Sequence, residues 1–134
     1  MIRQLDERTF VSGQIQPADV PRLKQLGVTM IVCNRPDDED PGQPPAADIE
    51  AAAEAAGIAF RHVPIIRGIG PSDVESMQEA LGAAEGKLFA YCRSGNRSAL
   101  TWAVARRAHG ASIEELQDAA GRAGIDLSPV EHLL

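Results

Sequence analysis

Tyr91-Cys92-Arg93-Ser94-Gly95-Asn96-Arg97-Ser98 is the stretch that decides how this chain is read. It follows a short apolar run, Leu88–Cys92, and leads into a helical pattern over Ser98–His109 that stops at Gly110. A buried strand that hands over to a helix through a glycine-bearing turn is a ligand-binding corner of an α/β sheet. The helix N-terminus offers unpaired N–H groups and a positive partial charge just outside the carboxyl end of the strand. Gly95 lets the backbone curl so that successive N–H groups point inward. The same field favours the thiolate of a cysteine placed there, and the thiolate is the reactive form. Arg93 and Arg97 add two cations. From Tyr91 to Gly110 there are four arginines and no carboxylate, although the whole chain carries a net charge of −6. The segment therefore reads as an anion cradle around a nucleophile. Cys92 would attack, Arg97 would hold the anion, and Ser98 would donate to the thiolate. Arg93, Ser94, Gly95 and Asn96 would line the substrate.

Outward from this corner, strands and helices alternate. Ile2–Leu5 and Thr9–Val11 predict a small opening β element, and Pro17–Leu26 a helix ended by Gly27. Val28–Cys33 predicts a strand covered on both faces, since its apolar run is unbroken. Ala46–Ala56 predicts an alanine-rich helix ended by Gly57, and Ile58–Ile66 a strand. Asp73–Ala84 predicts a helix capped by Ser72 with Glu75 in the capping box. Ser112 predicts the cap of a last long helix, with Glu115 at the capping-box position and Gly121 and Gly124 at its end. Pro129–Leu134 reads as a final turn. The alternation predicts an α/β fold, residues 1–134 forming one domain with a mostly parallel central sheet flanked by helices.

Composition narrows the function. The chain has 134 residues, 44% of them hydrophobic and 24% charged. An acidic surface does not suit nucleic acid or an anionic membrane. Two cysteines without metal-ligand spacing make neither a disulfide framework nor a zinc site. No stretch matches a nucleotide-binding fingerprint, so no cofactor and no metal are expected. The first residues lack the apolar core of a secretory signal, and the expected location is the cytoplasm.

The cradle sequence Cys92-Arg93-Ser94-Gly95-Asn96-Arg97 resembles the active loop of bacterial single-domain rhodaneses, which carry sulfur as a cysteine persulfide. A longer pattern resembles another family. Phe10-Val11-Ser12-Gly13-Gln14, Leu26-Gly27-Val28, Asn34-Arg35-Pro36, His62-Val63-Pro64 and Ala123-Gly124-Ile125-Asp126-Leu127 are similar to the small bacterial phosphatase-like domains associated with beta-lactamase-hydrolase-like proteins. That resemblance implies a tyrosine/dual-specificity-phosphatase-like fold, and some members of the family are labelled sulfurtransferases.

Two departures from the tyrosine-phosphatase pattern weigh against phosphate. Four residues, not five, separate Cys92 from Arg97, and Tyr91 stands where that pattern has His. The loop Ile65–Pro71, where such phosphatases place an acidic general acid, holds no carboxylate. Asp73 is the nearest, and it falls in a first helical turn where an acid suits the helix dipole. A positioned general acid contributes about 10²–10⁴ in rate. An alkoxide needs that proton, whereas sulfite leaves thiosulfate without it. The expectation is therefore a sulfurtransferase: Cys92 takes sulfur from thiosulfate or a small persulfide and passes it to cyanide, a small thiol or an acceptor protein. The alternative is a tyrosine- or dual-specificity-type phosphatase with a phosphocysteine intermediate, a phosphate-ester substrate and Asp73 as the proton source.

Arg35 and Arg67 lie on loops at the same sheet edge and read as further anion contacts, with Arg61 and His62 as weaker candidates. Cys33 reads as core packing. The run Asp37-Asp38-Glu39-Asp40 matches no calcium loop and reads as a solvated loop.

Overall fold

Side chains along the central strand alternate between two apolar layers. In β5 (Lys87–Tyr91), Leu88 and Ala90 pack on one side of the sheet, and Phe89 and Tyr91 on the other. In β3 (Val28–Cys33), Met30 and Val32 join the first layer and Ile31 and Cys33 the second. Successive strand residues point to opposite faces, so unbroken apolar runs require cover on both. The computed structural model, which describes residues 2–134, supplies that cover. Helices α3 (Pro71–Ala83), α4 (Asn96–Ala108) and α5 (Ile113–Ala123) pack on the first face. Helices α1 (Val20–Gln25) and α2 (Ala46–Ala56) pack on the second.

The sheet has five strands in the order β1-β2-β5-β3-β4, where β1 is Ile2–Asp6, β2 is Thr9–Ser12 and β4 is Ala59–His62. The edge pair β1–β2 is antiparallel, and every other pairing is parallel. The expected mostly parallel α/β domain is the fold observed. Buried Ala80, Ala99, Ala103, Ala105, Ala119 and Ala120 on the three-helix face let helix backbones approach closely, and Trp102 fills the space they leave.

Several boundaries differ from expectation for local reasons. The first helix is split into a 3-10 turn, Pro17–Asp19, and the α-helical Val20–Gln25. β4 runs Ala59–His62 and so ends short of Ile66, although the Val63 N–H still donates to Cys33 O at 2.8 Å. The Ser72 cap with Glu75 does not form. Pro71 takes the first helical position, its fixed φ suiting that place, and Gly70 becomes the N-cap. α4 starts at Asn96 because Gly95, with φ 97°, makes the turn itself. Ser112 does cap α5, accepting the Glu115 N–H at 3.1 Å, but the Glu115 carboxylate pairs with Arg106 instead of closing a box. Gly121 lies inside that helix, and Gly124, with φ 71°, ends it. No helix among the described residues is long and apolar enough to cross a membrane.

Trp102 is 2% exposed and belongs to the larger core layer. Trp102→Ala is expected to lower unfolding free energy by about 3–5 kcal/mol, read from urea denaturation.

Candidate active site

Four loops leave the carboxyl ends of the parallel strands and meet around Cys92. From β2 come Gly13 and Gln14, from β3 Asn34 and Arg35, from β4 Val63 to Ile65, and from β5 the loop 92–95. Main-chain bonds join them. Cys92 N–H donates to Ser12 O at 3.2 Å, Asn34 N–H to Tyr91 O at 2.8 Å, and Ile65 N–H to Asn34 O at 3.0 Å. The Asn34 amide adds a bond to Val63 O at 2.9 Å. The central position of β5 therefore places Cys92, the residue that follows it, at the floor of the site.

Cys92 is fully buried, and its Sγ accepts the Gly95 N–H at 3.0 Å. Gly95 must be left-handed to aim that N–H inward, and a β-carbon there would crowd Ser12 and Arg3. Gly13 is tighter still, because a β-carbon would stand 2.8 Å from the Arg93 carbonyl oxygen. Tyr91 packs in the opposite core layer, where burial pushes its phenol up.

Arg97 sits in the first turn of α4. Its Nη1 donates to Ile65 O at 3.1 Å and to Glu39 Oε2 at 2.7 Å, and its Nη2 donates to Glu39 Oε1 at 2.7 Å. The Glu39 carboxylate, followed by neighbouring Cys92, pushes the guanidinium pKa above its usual value. Glu39 in turn is held below the ordinary carboxylate range, first by Arg97 and also by Arg35.

The structure corrects the reading of the acidic run. Residues 37–40 are not simply solvated. Asp37 accepts the Ala46 N–H at 2.8 Å and so closes the start of α2. Glu39 bridges Arg97 and Arg35. Asp40 takes Arg35 at 2.7 Å and Arg93 at 3.2 Å. These acids are drawn in because Arg35 is only 4% exposed, and a buried guanidinium needs anionic partners.

The other expected site residues fall in different places. Arg35 is bound within the protein: its Nε donates to Glu39, its Nη2 to Asp40 and its Nη1 to the Gln14 amide oxygen at 2.9 Å. Arg93 lies at the rim against Asp40, with its side chain 67% exposed. Ser94 belongs to the loop and Asn96 opens α4, the Ser94 hydroxyl accepting the Asn96 N–H at 3.3 Å. Ser98 does not donate to the thiol; its hydroxyl is buried without a hydrogen-bond partner among the described residues. Arg67 is exposed on the loop beyond β4. Asp73 lies in the first turn of α3. Its carboxylate accepts the Gly70 N–H at 2.8 Å and caps α3. Arg61 pairs with Glu79, and His62 meets the Arg35 carbonyl at 3.0 Å. Cys33 packs in the core, and burial pushes its thiol up.

The sequence reading missed two residues. Glu39 was one of four adjacent acids, and nothing local separated it from the rest. Arg3, on the edge strand, donates to Ser94 O at 3.1 Å, to Asn96 Oδ1 at 3.4 Å and to Ala123 O at 3.3 Å, tying the cradle to β1 and α5. Its only signal was a cation in a strand far along the chain. No group of three or more His, Cys, Asp or Glu among the described residues could hold a metal.

Residues 1–109 match the family described as "Beta-lactamase hydrolase-like protein, phosphatase-like domain". The chain belongs to this family. It is 35% identical over 127 residues to a beta-lactamase hydrolase-like protein of Agrobacterium fabrum, covering 92% of this chain and 29% of that one. The domain thus spans under a third of the length of the curated relatives it matches. A crystal structure from Neisseria meningitidis, described as a "putative phosphatase", is 40% identical with a TM-score of 0.83, covering 98% of this chain and 95% of that one. Pseudomonas aeruginosa TpbA, solved in complex with pTyr, shares the fold at 22% identity and a TM-score of 0.61, over 98% and 88% of the two chains. The expected tyrosine/dual-specificity-phosphatase-like fold is the fold found.

The sulfurtransferase expectation is overturned. The family is phosphatase-like by description, and its 40%-identical solved relative is described as a phosphatase. With the sulfurtransferase go thiosulfate or a persulfide as donor and a thiol or cyanide as acceptor. The four-residue spacing between Cys92 and Arg97 was not decisive, because residue count does not set reach. Gly95 starts the helix at Asn96, so Arg97 arrives beside Cys92 within its first turn.

Gly13 is a test of the cradle's packing. Gly13→Ala is expected to lower unfolding free energy by about 1–3 kcal/mol, because the atom it would meet belongs to the main chain. Urea denaturation of the two proteins measures it.

Proposed function

We propose that the domain hydrolyses phosphate monoesters through a phosphocysteine on Cys92. One observation carries this reading: Cys92 Sγ accepts the Gly95 N–H at 3.0 Å in the loop that starts α4, and the first turn of that helix carries Arg97. A backbone N–H aimed at the sulfur and an arginine fork suit the charge that spreads over phosphoryl oxygens in the transition state. In the first step sulfur attacks phosphorus, the P–S bond forms, the P–O bond breaks, and the alcohol oxygen departs with the bonding electrons and takes up a proton. In the second step water attacks the phosphocysteine, releasing inorganic phosphate and restoring the thiolate.

The leaving group is the discriminating feature. Residues 65–71 carry no acid, and Asp73 is spent on its helix cap. A phenol, with pKa near 10, departs more easily without full proton transfer than an alkyl alcohol. This supports aryl phosphates as the better substrates. A groove of about 630 Å³ runs from Arg97 past Ile65, Ile66, Ile69 and Leu100 to Leu133, and its apolar walls suit such a leaving group. Arg67 stands on its rim as a contact for an anionic substrate. Localisation in the cytoplasm accords with the reduced Cys92 this chemistry requires.

Cys92→Ser is expected to abolish release of phosphate from an aryl phosphate, followed by absorbance of the freed phenol. Rapid acid quench of the wild-type reaction should trap a phosphoryl adduct by intact-mass spectrometry, absent in the variant. Asp73→Asn is expected to leave kcat within about twofold while costing about 0.5–1 kcal/mol of stability, the signature of a cap. A fall in kcat confined to poor leaving groups would instead make Asp73 the proton source.

A further inference from the structure

We propose that Glu39 is a positioning residue, whose carboxylate holds the end-on edge of the Arg97 guanidinium so that the side-on edge is presented at Cys92. The inference rests on the phosphocysteine reading above and adds to it the group that aims the arginine.

A guanidinium has five N–H groups in one plane. Both Nη1 protons are taken, one by Glu39 Oε2 and one by Ile65 O, and one Nη2 proton goes to Glu39 Oε1. The Nε–H and the remaining Nη2–H share the other edge, and together they form a fork that matches two phosphoryl oxygens. Glu39 therefore does not fill the place of the substrate; it occupies the opposite fork. The carboxylate is itself fixed from behind by Arg35 Nε at 3.0 Å, and Arg35 is anchored to Gln14 and Asp40. The chain of contacts runs from a buried cation, through Glu39, to the arginine at the reacting atom. Glu39 is held ionised by Arg97 and Arg35, which suits an acceptor of hydrogen bonds and not a proton donor at neutral pH. Asp37 and Asp40 flank it on the same loop, Asp40 shared between Arg35 and Arg93.

The test compares wild type, Glu39→Gln and Glu39→Asp on an aryl phosphate, with vanadate and inorganic phosphate as inhibitors. Glu39→Gln loses the second anionic acceptor, and Glu39→Asp keeps the charge but is one methylene short. Misplacing a reacting group by about 1 Å can cost about a hundredfold. The expected result is a kcat lowered about ten- to a hundredfold in Glu39→Gln, with KM within about threefold and the pH profile unchanged in shape. Vanadate, which adopts the five-coordinate geometry, should weaken by a similar factor while phosphate changes little. Glu39→Asp should be impaired as well. Tighter phosphate and vanadate binding in Glu39→Gln would overturn the proposal and make Glu39 a competitor of the substrate. Loss of the alkaline limb of the pH profile would overturn it and make Glu39 the general acid. Wild-type rates in either variant would also end it, leaving the phosphocysteine reading intact. A wild-type protein without Cys92-dependent phosphatase activity would remove the reading beneath it.

Discussion

Everything at this site depends on one turn, in which Gly95 directs its N–H back at Cys92 Sγ, 3.0 Å away, while starting a helix. The turn is possible only with a left-handed residue, and close contact with Ser12 and Arg3 leaves little room for a side chain. Because β5 lies between β2 and β3, the turn is walled by loops from both neighbours. Gly13 on one side touches the loop's own carbonyl, and Asn34 on the other bonds the last strand residue. Cys92 is thus held at the end of the most central strand of the sheet.

Around that turn the protein solves an electrostatic problem. Three arginines, 35, 93 and 97, converge at one sheet edge, and such a cluster repels itself when no anion is bound. The loop at 37–40 brings Glu39 and Asp40 against them. Arg35, buried, organises the acids; Arg97, half-buried, is organised by one of them; Arg93 stays at the rim. Neutralising the cluster on its outer side leaves the inner side available, a division that depends on the flat, two-edged shape of guanidinium.

The sequence was most informative where local rules and the tertiary outcome agree. The apolar run Val28–Cys33 and the helix Ala46–Ala56 with its terminal Gly57 have the observed bounds, because unbroken apolar cover and a left-handed stop are local requirements. Cys92 and Arg97 stood out through their position between strand and helix. The contacts of Ser98, Arg35 and Asp73 were not legible. Each depends on which partner the fold delivers: none for the Ser98 hydroxyl, two carboxylates for Arg35, and a neighbouring N–H for Asp73.

By itself the sequence determined the α/β architecture, its two-sided core and the corner that carries a cysteine and an arginine. Those follow from periodicity, from glycine's freedom at positive φ and from the field at a helix N-terminus, all of which act over a few residues. Only the tertiary structure decided that the acidic loop is a partner of the arginines and that Arg3 ties the cradle to the edge strand. Those contacts join residues 58 and 91 positions apart, as in Glu39 with Arg97 and Arg3 with Ser94. No local pattern encodes such pairings, because a charge in sequence carries a sign but not the direction from which its partner will come.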